Sequence, residues 1–303
     1  MNQSFYDELL KILPKEQVKA DEPMKGHTTF RVGGPADYFV TPGKKEEVAA
    51  VLRCCQEQGM PYYIIGNGSN LLVSDQGYRG VIIQIFKSMN RIECKGNTIT
   101  AQAGALLSVV AGRALREQLT GFEFAAGIPG TLGGACVMNA GAYGGEMKDV
   151  LSSVTVLTAG GEFLTLQRQE LELGYRTSII AKKNYIVLEA SLELENGDPE
   201  AIRSRMEELG EKRSAKQPLE YPSAGSTFKR PEGYFAGQLI QDAGLRGFRV
   251  GGAQVSEKHC GFVINKDNAT AADIAKLMRQ VSDCVEEKSG VRLEAEVKRL
   301  GEF

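Results

Sequence analysis

Three polar side chains stand in settings that could carry chemistry. Arg176 follows Tyr175 in GYRTS (174–178), Ser226 sits in AGSTFKRP (224–231) three residues before Lys229, and Glu296 lies in LEAEVKRLGE (293–302) two residues after Glu294. A guanidinium fork can hold a carboxylate and stabilise charge developing on it. A hydroxyl held beside a strongly basic centre can deliver a proton. A carboxyl can act in either direction according to its protonation. Taken singly, each residue also has an ordinary reading: a surface arginine, a turn or N-cap serine, and a strand-edge charge facing solvent.

Two stretches could bring main chain against a ligand. Gly66-Asn67-Gly68-Ser69-Asn70 directly follows the apolar run Tyr62–Ile65. A strand running into a loop of small residues can turn successive N–H groups inward as an anion nest, with Ser69 and Asn70 adding side-chain donors. Leu71 stands where a GxGxxG fingerprint would place its last glycine, so this is not the dinucleotide motif. The second stretch, Gly121 to Glu146, reads GFEFAAGIPGTLGGACVMNAGAYGGE. Glycine inside a regular element costs roughly 0.5–1 kcal/mol relative to alanine, so this density fits turns. The apolar Phe122, Phe124, Ile128, Leu132, Val137, Met138 and Tyr143 fit a packed loop, not a linker. Such a loop suits close approach to a phosphate, a flat ring or another strand, and tight turns between buried strands fit it equally.

The elements that must position these residues follow from periodicity. The chain has 303 residues, a formal net charge of -2 and a pI near 5.9, which argues against an electrostatic grip on nucleic acid. Six cysteines without a CxxC pair and only two histidines argue against a zinc site and fit the reduced thiols of a cytoplasmic protein. No run of about twenty apolar residues is present, so no membrane span is expected. Helices are expected over 4–13, 44–58, 106–118, 199–216, 234–243 and 271–288, the last ending at Gly290. Strands are expected near 28–32, 38–41, 62–65, 81–86, 92–95, 98–103, 150–158, 162–166, 184–195, 250–255, 261–265 and 291–300. Helices and strands alternate without a regular βα repeat, which favours an α+β class. The polar, proline-bounded KRSAKQPLEYP (212–222) reads as a linker.

HTTFRVGGPA (27–36), GNGSNLLVSD (66–75), AAGIPGTLGGACVMNAGAYGGE (125–146), GYRTS, AGSTFKRP, AGQLIQDAGLRG (236–247), GGAQVSEKHCGFVIN (251–265) and LEAEVKRLGE occur in this order. Together they resemble the UDP-N-acetylenolpyruvoylglucosamine reductase (MurB) family over nearly the whole chain. The resemblance implies an α+β FAD-binding fold of the PCMH, or vanillyl-alcohol-oxidase, type made of two subdomains, 1–82 and 83–214, with a smaller α+β substrate domain over 215–303. It implies reduction of UDP-N-acetylglucosamine enolpyruvate to UDP-N-acetylmuramate in peptidoglycan precursor synthesis, with non-covalent FAD and NADPH as co-substrate. The short run from Arg176 to Ile186 implies the shorter, type II branch.

Residue by residue, the resemblance implies that Arg176 stabilises an enolate-like dianion, Ser226 donates the proton and Glu296 assists beside them. A bare carboxylate would repel the dianion, so Glu296 is expected to be protonated or bridged through a cation or water. The implied FAD contacts are Gly66, Asn67, Gly68, Ser69, Asn70 and Leu71 at the pyrophosphate. Along the ribityl chain and ring they are Gly127, Ile128, Pro129, Gly130, Gly133, Gly134, Asn139, Gly141, Ala142 and Tyr143. Lys229, Arg230, Arg246 and His259 are the implied substrate contacts, Lys229 also assisting Ser226. Two positions depart from the family pattern: Arg246 replaces a common lysine, and Lys298 stands where EVR is usual. No metal is implied. A flavin oxidase acting on an alcohol or sugar, the main alternative on this fold, would have no use for 225–230 and 293–296.

Overall fold

The computed structural model describes residues 2–303, and the chain gathers into two compact units. The first comprises the N-terminal segment to Ala20, Tyr38–Asn67 and Gly80–Arg213. The second comprises Asp21–Asp37, Gly68–Arg79 and Ser214–Phe303.

The first unit has two cores. In one, the helices Gln3–Ile12 and Lys45–Glu57 bury Phe5, Leu9, Val51 and Cys55 with Tyr38, Val40, Val81 and Ile83. The strand Tyr62–Ile65 runs parallel to its neighbour here, with Tyr62 opposite Val81 and Ile65 opposite Gln84. The other core underlies a five-stranded antiparallel sheet. Its order is Phe163–Gln167, Leu151–Leu157, Ile186–Glu193, Thr98–Gln102, Ile92–Lys95. Ile99, Ala101, Val154, Leu188 and Leu192 of this sheet pack on Leu107, Val110, Leu132 and Cys136 from the helices Leu107–Arg116 and Leu132–Met138. Alternation within Thr98–Gln102 buries one side and leaves the other polar, as an antiparallel sheet with one covered face requires.

The second unit sets a three-stranded antiparallel sheet, Arg249–Val250, Ala253–Val255 and Val263–Asn265, against the helix Ala271–Ser289. Thr270 and Asp273 form a capping box at the start of this helix, and Gly290, at φ 70, ends it. Ile274, Leu277, Val281 and Val285 recur on one side of the helix and join Phe30, Leu72, Ile240 and Val255 in a single core. The C-terminal strand Lys298–Leu300 pairs in parallel with Leu71–Val73.

Four expectations are corrected. Residues 28–32 are a turn: Arg31 N–H donates to the Thr28 carbonyl, and the Thr28 hydroxyl donates to the Val32 carbonyl, giving the backbone a local partner instead of a ladder. The final strand shrinks to Lys298–Leu300, preceded by one isolated bridge between Phe228 and Ala295. The helix Pro199–Lys216 absorbs the start of the expected linker; Glu208 pairs with both Arg205 and Lys212 along it. Within the glycine-rich stretch, Thr131 caps a genuine helix, Leu132–Met138. Among the described residues no helix is long and apolar enough to cross a membrane.

Candidate active site

In the first unit the ends of the two glycine-rich stretches meet. Asn67 Nδ2 donates to the Pro129 carbonyl at 2.7 Å. A Cβ on Gly66 would stand 2.2 Å from Thr131 Oγ1, so glycine is required there by the neighbouring loop. The amides of Asn67, Gly68 and Ser69 donate to no acceptor among the described residues. Leu71 is buried and opens the strand Leu71–Val73. Gly130 uses its carbonyl to accept the Leu107 amide at 3.1 Å. Gly133 is buried: its amide donates to Ala103 at 2.8 Å, and an added Cβ would press to 2.9 Å from the Ala103 methyl. The adjacent Gly134 is exposed, and a Cβ added there would meet Thr131 Oγ1 only at 3.7 Å. Ile128 packs half-buried on the main core.

Downstream, Gly141–Ala142 and Gly145–Glu146 form a minimal hairpin whose turn residues Tyr143 and Gly144 have φ 53 and 91. Asn139, at φ 44, ends the Leu132–Met138 helix in the left-handed region. Its side chain is 2% exposed and engaged three times. Nδ2 donates to Glu146 Oε2 at 2.7 Å and to the Gly174 carbonyl at 3.1 Å, and Oδ1 accepts from the Lys148 amide at 2.8 Å. The Gly174 contact ties this stretch to the turn that presents Arg176. Gly174 and Thr177 exchange both backbone hydrogen bonds, leaving Tyr175 and Arg176 at the tip, with Arg176 at φ 54. Ser178 then caps the next helix and donates its hydroxyl to the Val137 carbonyl at 2.7 Å. The Arg176 guanidinium lies 5.4 Å from the Tyr175 ring centroid. Left-handed non-glycine residues each cost of order 1–3 kcal/mol and cluster at functional sites.

Arg213 belongs here; it lies in the expected helix 199–216, where the expected linker 212–222 overlaps it. It lies on the helix Pro199–Lys216 in the first unit, half-buried, its Cδ 3.0 Å from where a Gly127 Cβ would be. Burial lowers its pKa and the proximity of Tyr143 acts in the opposite direction. The signal that could have found it is the unbroken helical pattern through residue 213. Cys136 is fully buried, and desolvation pushes its thiol up to about 12, which leaves it inert toward covalent attachment.

The second unit holds Ser226 and Glu296 on adjoining backbone. Ser226 is exposed, and its hydroxyl has no partner among the described residues. The next residue, Thr227, is wholly buried and anchors three neighbours. Its N–H donates to Gly261 at 2.9 Å, its hydroxyl accepts from the Val263 amide at 2.9 Å, and its carbonyl accepts from the Glu296 amide at 2.9 Å. Asn70 Nδ2 donates to the Glu296 carbonyl at 3.1 Å. Lys229 is turned toward Glu294 in a 2.9 Å ion pair that lowers the Glu294 pKa. That pairing, not Ser226, is what the structure gives Lys229.

The other expected substrate residues also have local partners. Arg230 stacks on Phe235 at 4.0 Å and donates from Nε to the Tyr234 carbonyl at 3.2 Å. Arg246 bridges the Glu257 carbonyl and Gln241 Oε1. Its two-pronged guanidinium allows this, and a lysine would not reproduce the geometry. His259 accepts the Gly261 amide on Nδ1 at 3.1 Å, which leaves Nε2 carrying the proton of the neutral ring. Burial lowers its pKa, and Lys216 adds to that. Lys298 is exposed and uses its amide on the Asn70 carbonyl at 3.0 Å.

These features have counterparts in known proteins. Residues 36–167 match a family described as FAD binding domain, and 217–300 match the UDP-N-acetylenolpyruvoylglucosamine reductase, C-terminal domain. The chain is 56% identical to a UDP-N-acetylenolpyruvoylglucosamine reductase of Lachnoclostridium phytofermentans, over 100% of this chain and 99% of that protein. It is 55% identical to one of Clostridioides difficile over 99% of each. A crystal structure of the Thermus caldophilus enzyme superposes with a TM-score of 0.80 at 37% identity, over 92% of this chain and 97% of that one. A structure of wild-type Phl p 4.0202, a glucose dehydrogenase, gives a TM-score of 0.52 at 16% identity over 65% and 44% of the two chains, a likeness of fold alone. The architecture is thus the α+β PCMH-type FAD-binding fold, and the protein is an FAD-binding oxidoreductase. By full-length similarity, the chain belongs to the UDP-N-acetylenolpyruvoylglucosamine reductase family.

Proposed function

We propose that this protein reduces UDP-N-acetylglucosamine enolpyruvate to UDP-N-acetylmuramate, with FAD held non-covalently and NADPH as co-substrate, in cytoplasmic peptidoglycan precursor synthesis. The observation that carries this reading is identity above half over the full length of relatives bearing that enzyme name, with Arg176, Ser226 and Glu296 all present. The residues available for FAD fit the group. Within the first unit the Asn67 amide has no protein acceptor among the described residues, Gly134 leaves open space, and Arg213 brings a cation beside Gly127. The reading keeps subdomains 1–82 and 83–214 and a substrate domain over 215–303; what supports it is a separate small core built from residues up to Ile83 and the grouping of 214–303 in the second unit, although 21–37 and 68–79 group there too.

The substrate group is CH2=C(OR)–COO⁻. When bound, FAD supplies the reducing equivalents, taken from NADPH, as a hydride for the CH2 carbon. The charge that develops on the ether-bearing carbon spreads into the carboxylate, and the Arg176 fork holds and stabilises it. The exposed Ser226 hydroxyl, without a protein partner, gives its proton to that carbon and completes CH3–CH(OR)–COO⁻. Glu296, beside it, returns a proton to the Ser226 oxygen from its protonated carboxyl or through a bridging water, and solvent replaces that proton. His259 Nε2–H, Arg230, Arg246 and Lys229 serve the UDP end, the last two by way of the pairs they make.

The test is a flavin absorbance spectrum followed by titration with NADPH and substrate. The expected result is a yellow protein that oxidises NADPH only when the enolpyruvyl compound is supplied. A protein that stays colourless in FAD, or a bound flavin that substrate fails to reoxidise, would overturn the reading.

A further inference from the structure

We infer that Asn70 is a positioning residue for Glu296, a role beyond holding cofactor; the inference rests on the reading of Glu296 given above. The parallel ladder between Leu71–Val73 and Lys298–Leu300 is only three residues long and pairs Lys298 with Leu71. Glu296 therefore stands two residues before the ladder begins, at its open end. Its N–H is fixed there by the Thr227 carbonyl at 2.9 Å. Its carbonyl accepts from Asn70 Nδ2 at 3.1 Å, a side-chain amide that extends the tie between the two segments beyond the last paired residues. The Asn70 carbonyl closes the arrangement by accepting the Lys298 amide at 3.0 Å.

Both groups of the Glu296 peptide are thus pinned, one to the residue after Ser226 and the other to Asn70. A pinned peptide fixes the Cα–Cβ direction from which the carboxyl swings. The ladder is kept from slipping at its far end: Ser74 N–H donates to the Leu300 carbonyl at 2.9 Å, and Asp75 accepts the amides of Ala271 and Ala272 at 2.8 and 2.9 Å. Only a donor of asparagine's length serves at position 70. Alanine removes the tie, and aspartate presents an oxygen to the Glu296 oxygen at the same reach.

The experiment compares the two half-reactions of the FAD-loaded enzyme by rapid mixing in wild type, Asn70→Ala, Asn70→Asp, Glu296→Gln and the double variant Asn70→Ala with Glu296→Gln. Coupling between residues that act as one unit shows as non-additivity. Asn70→Ala is expected to slow reoxidation by substrate about tenfold more than it slows flavin reduction by NADPH, whatever its effect on FAD affinity. In the Glu296→Gln background the same change is expected to cost less than about twofold. Asn70→Asp, which keeps the side-chain shape, is expected to show the same pattern if Asn70→Ala folds poorly. A measurement independent of turnover is amide exchange at Glu296 in the holoenzyme, expected to accelerate about tenfold in Asn70→Ala. Equal slowing in both backgrounds with unchanged Glu296 exchange, or FAD affinity and both half-reactions falling in step, would overturn the inference. A wild type whose flavin is not reoxidised by substrate would instead overturn the functional reading, and the exchange comparison would still decide whether Asn70 holds Glu296.

Discussion

The two units hold their candidate residues by different means. In the first, Arg176 sits on the tip of a two-residue turn at φ 54, and the Gly174 carbonyl of that turn accepts from Asn139, itself left-handed at φ 44. Such positions are held by side chains, chiefly the buried Asn139. In the second, Ser226 and Glu296 lie on irregular backbone fastened by main-chain bonds through Thr227 and by Asn70. The first arrangement stores strain and depends on individual side chains. The second lets the reactive side chain be lost without loss of the frame. Activity and stability should therefore separate cleanly in the second unit and be entangled in the first.

The largest expected effect tests that separation. Ser226→Ala removes an exposed hydroxyl that makes no hydrogen bond within the described protein. It should slow reoxidation of the reduced flavin by substrate about 10²–10⁴-fold, the usual range for a lost proton donor, and leave the melting temperature and flavin reduction by NADPH nearly unchanged. If both half-reactions stay normal, Ser226 is not the donor. If the melting temperature falls by many degrees, the second unit is not the self-supporting frame described here.

Asn139→Ala comes next and is expected to do the reverse. It takes the acceptor from the part-buried Lys148 amide, removes one of the two donors to the Gly174 carbonyl and places alanine in a left-handed conformation. An unsatisfied buried group costs about 1–3 kcal/mol, so a loss of about 2 kcal/mol is expected in chemical denaturation. Reactivity should fall as well, because the Arg176 turn loses its prop. A loss below about 1 kcal/mol would show that side chains do not hold this region.

Arg176→Gly gives a smaller effect of opposite sign. Glycine adopts φ 54 without the Cβ penalty, so stability should rise by about 1 kcal/mol while reduction of substrate collapses. An unchanged or lowered stability would mean that the turn carries no strain and that the contrast between the units fails at its sharpest point.

These expectations separate what could be read in the sequence from what could not. The helix Ala271–Ser289 is written in local signals, a Thr270 cap, an apolar stripe and Gly290, and its bounds emerged within a residue. The antiparallel strands of the first unit were likewise legible from alternation. Arg213 fell inside the expected helix 199–216 but was not singled out, because a charge near the end of a weakly amphipathic helix carries no sign of what it packs against. The parallel pairing of Leu71–Val73 with Lys298–Leu300 joins segments more than two hundred positions apart, and three residues carry too little pattern to announce it. The φ values of Tyr143 and Arg176 are imposed against residue preference, so no propensity could reveal them. The glycines divided in a way that composition hides. Gly66 and Gly133 are required by protein neighbours, and only an open position such as Gly134 leaves room for a ligand.

The smallest effect is expected from His259, and it tests whether the second unit has any side-chain-dependent joint. Burial, reinforced by Lys216, holds its pKa below the ordinary value of 6.5. The folded state therefore favours the neutral ring. Stability from this group is fully present above pH 6.5 and is lost as pH falls toward the folded pKa, because the unfolded chain takes up the proton first. Protonating Nδ1 would also break its acceptance of the Gly261 amide, the residue whose carbonyl receives Thr227 N–H. Thermal melts taken from about pH 8 down to about pH 5 should show a shallow decline in the wild type that is reduced in His259→Gln. An identical decline in both proteins would assign the acid sensitivity elsewhere, and the second unit would then be held at this loop, as at Thr227, by its backbone.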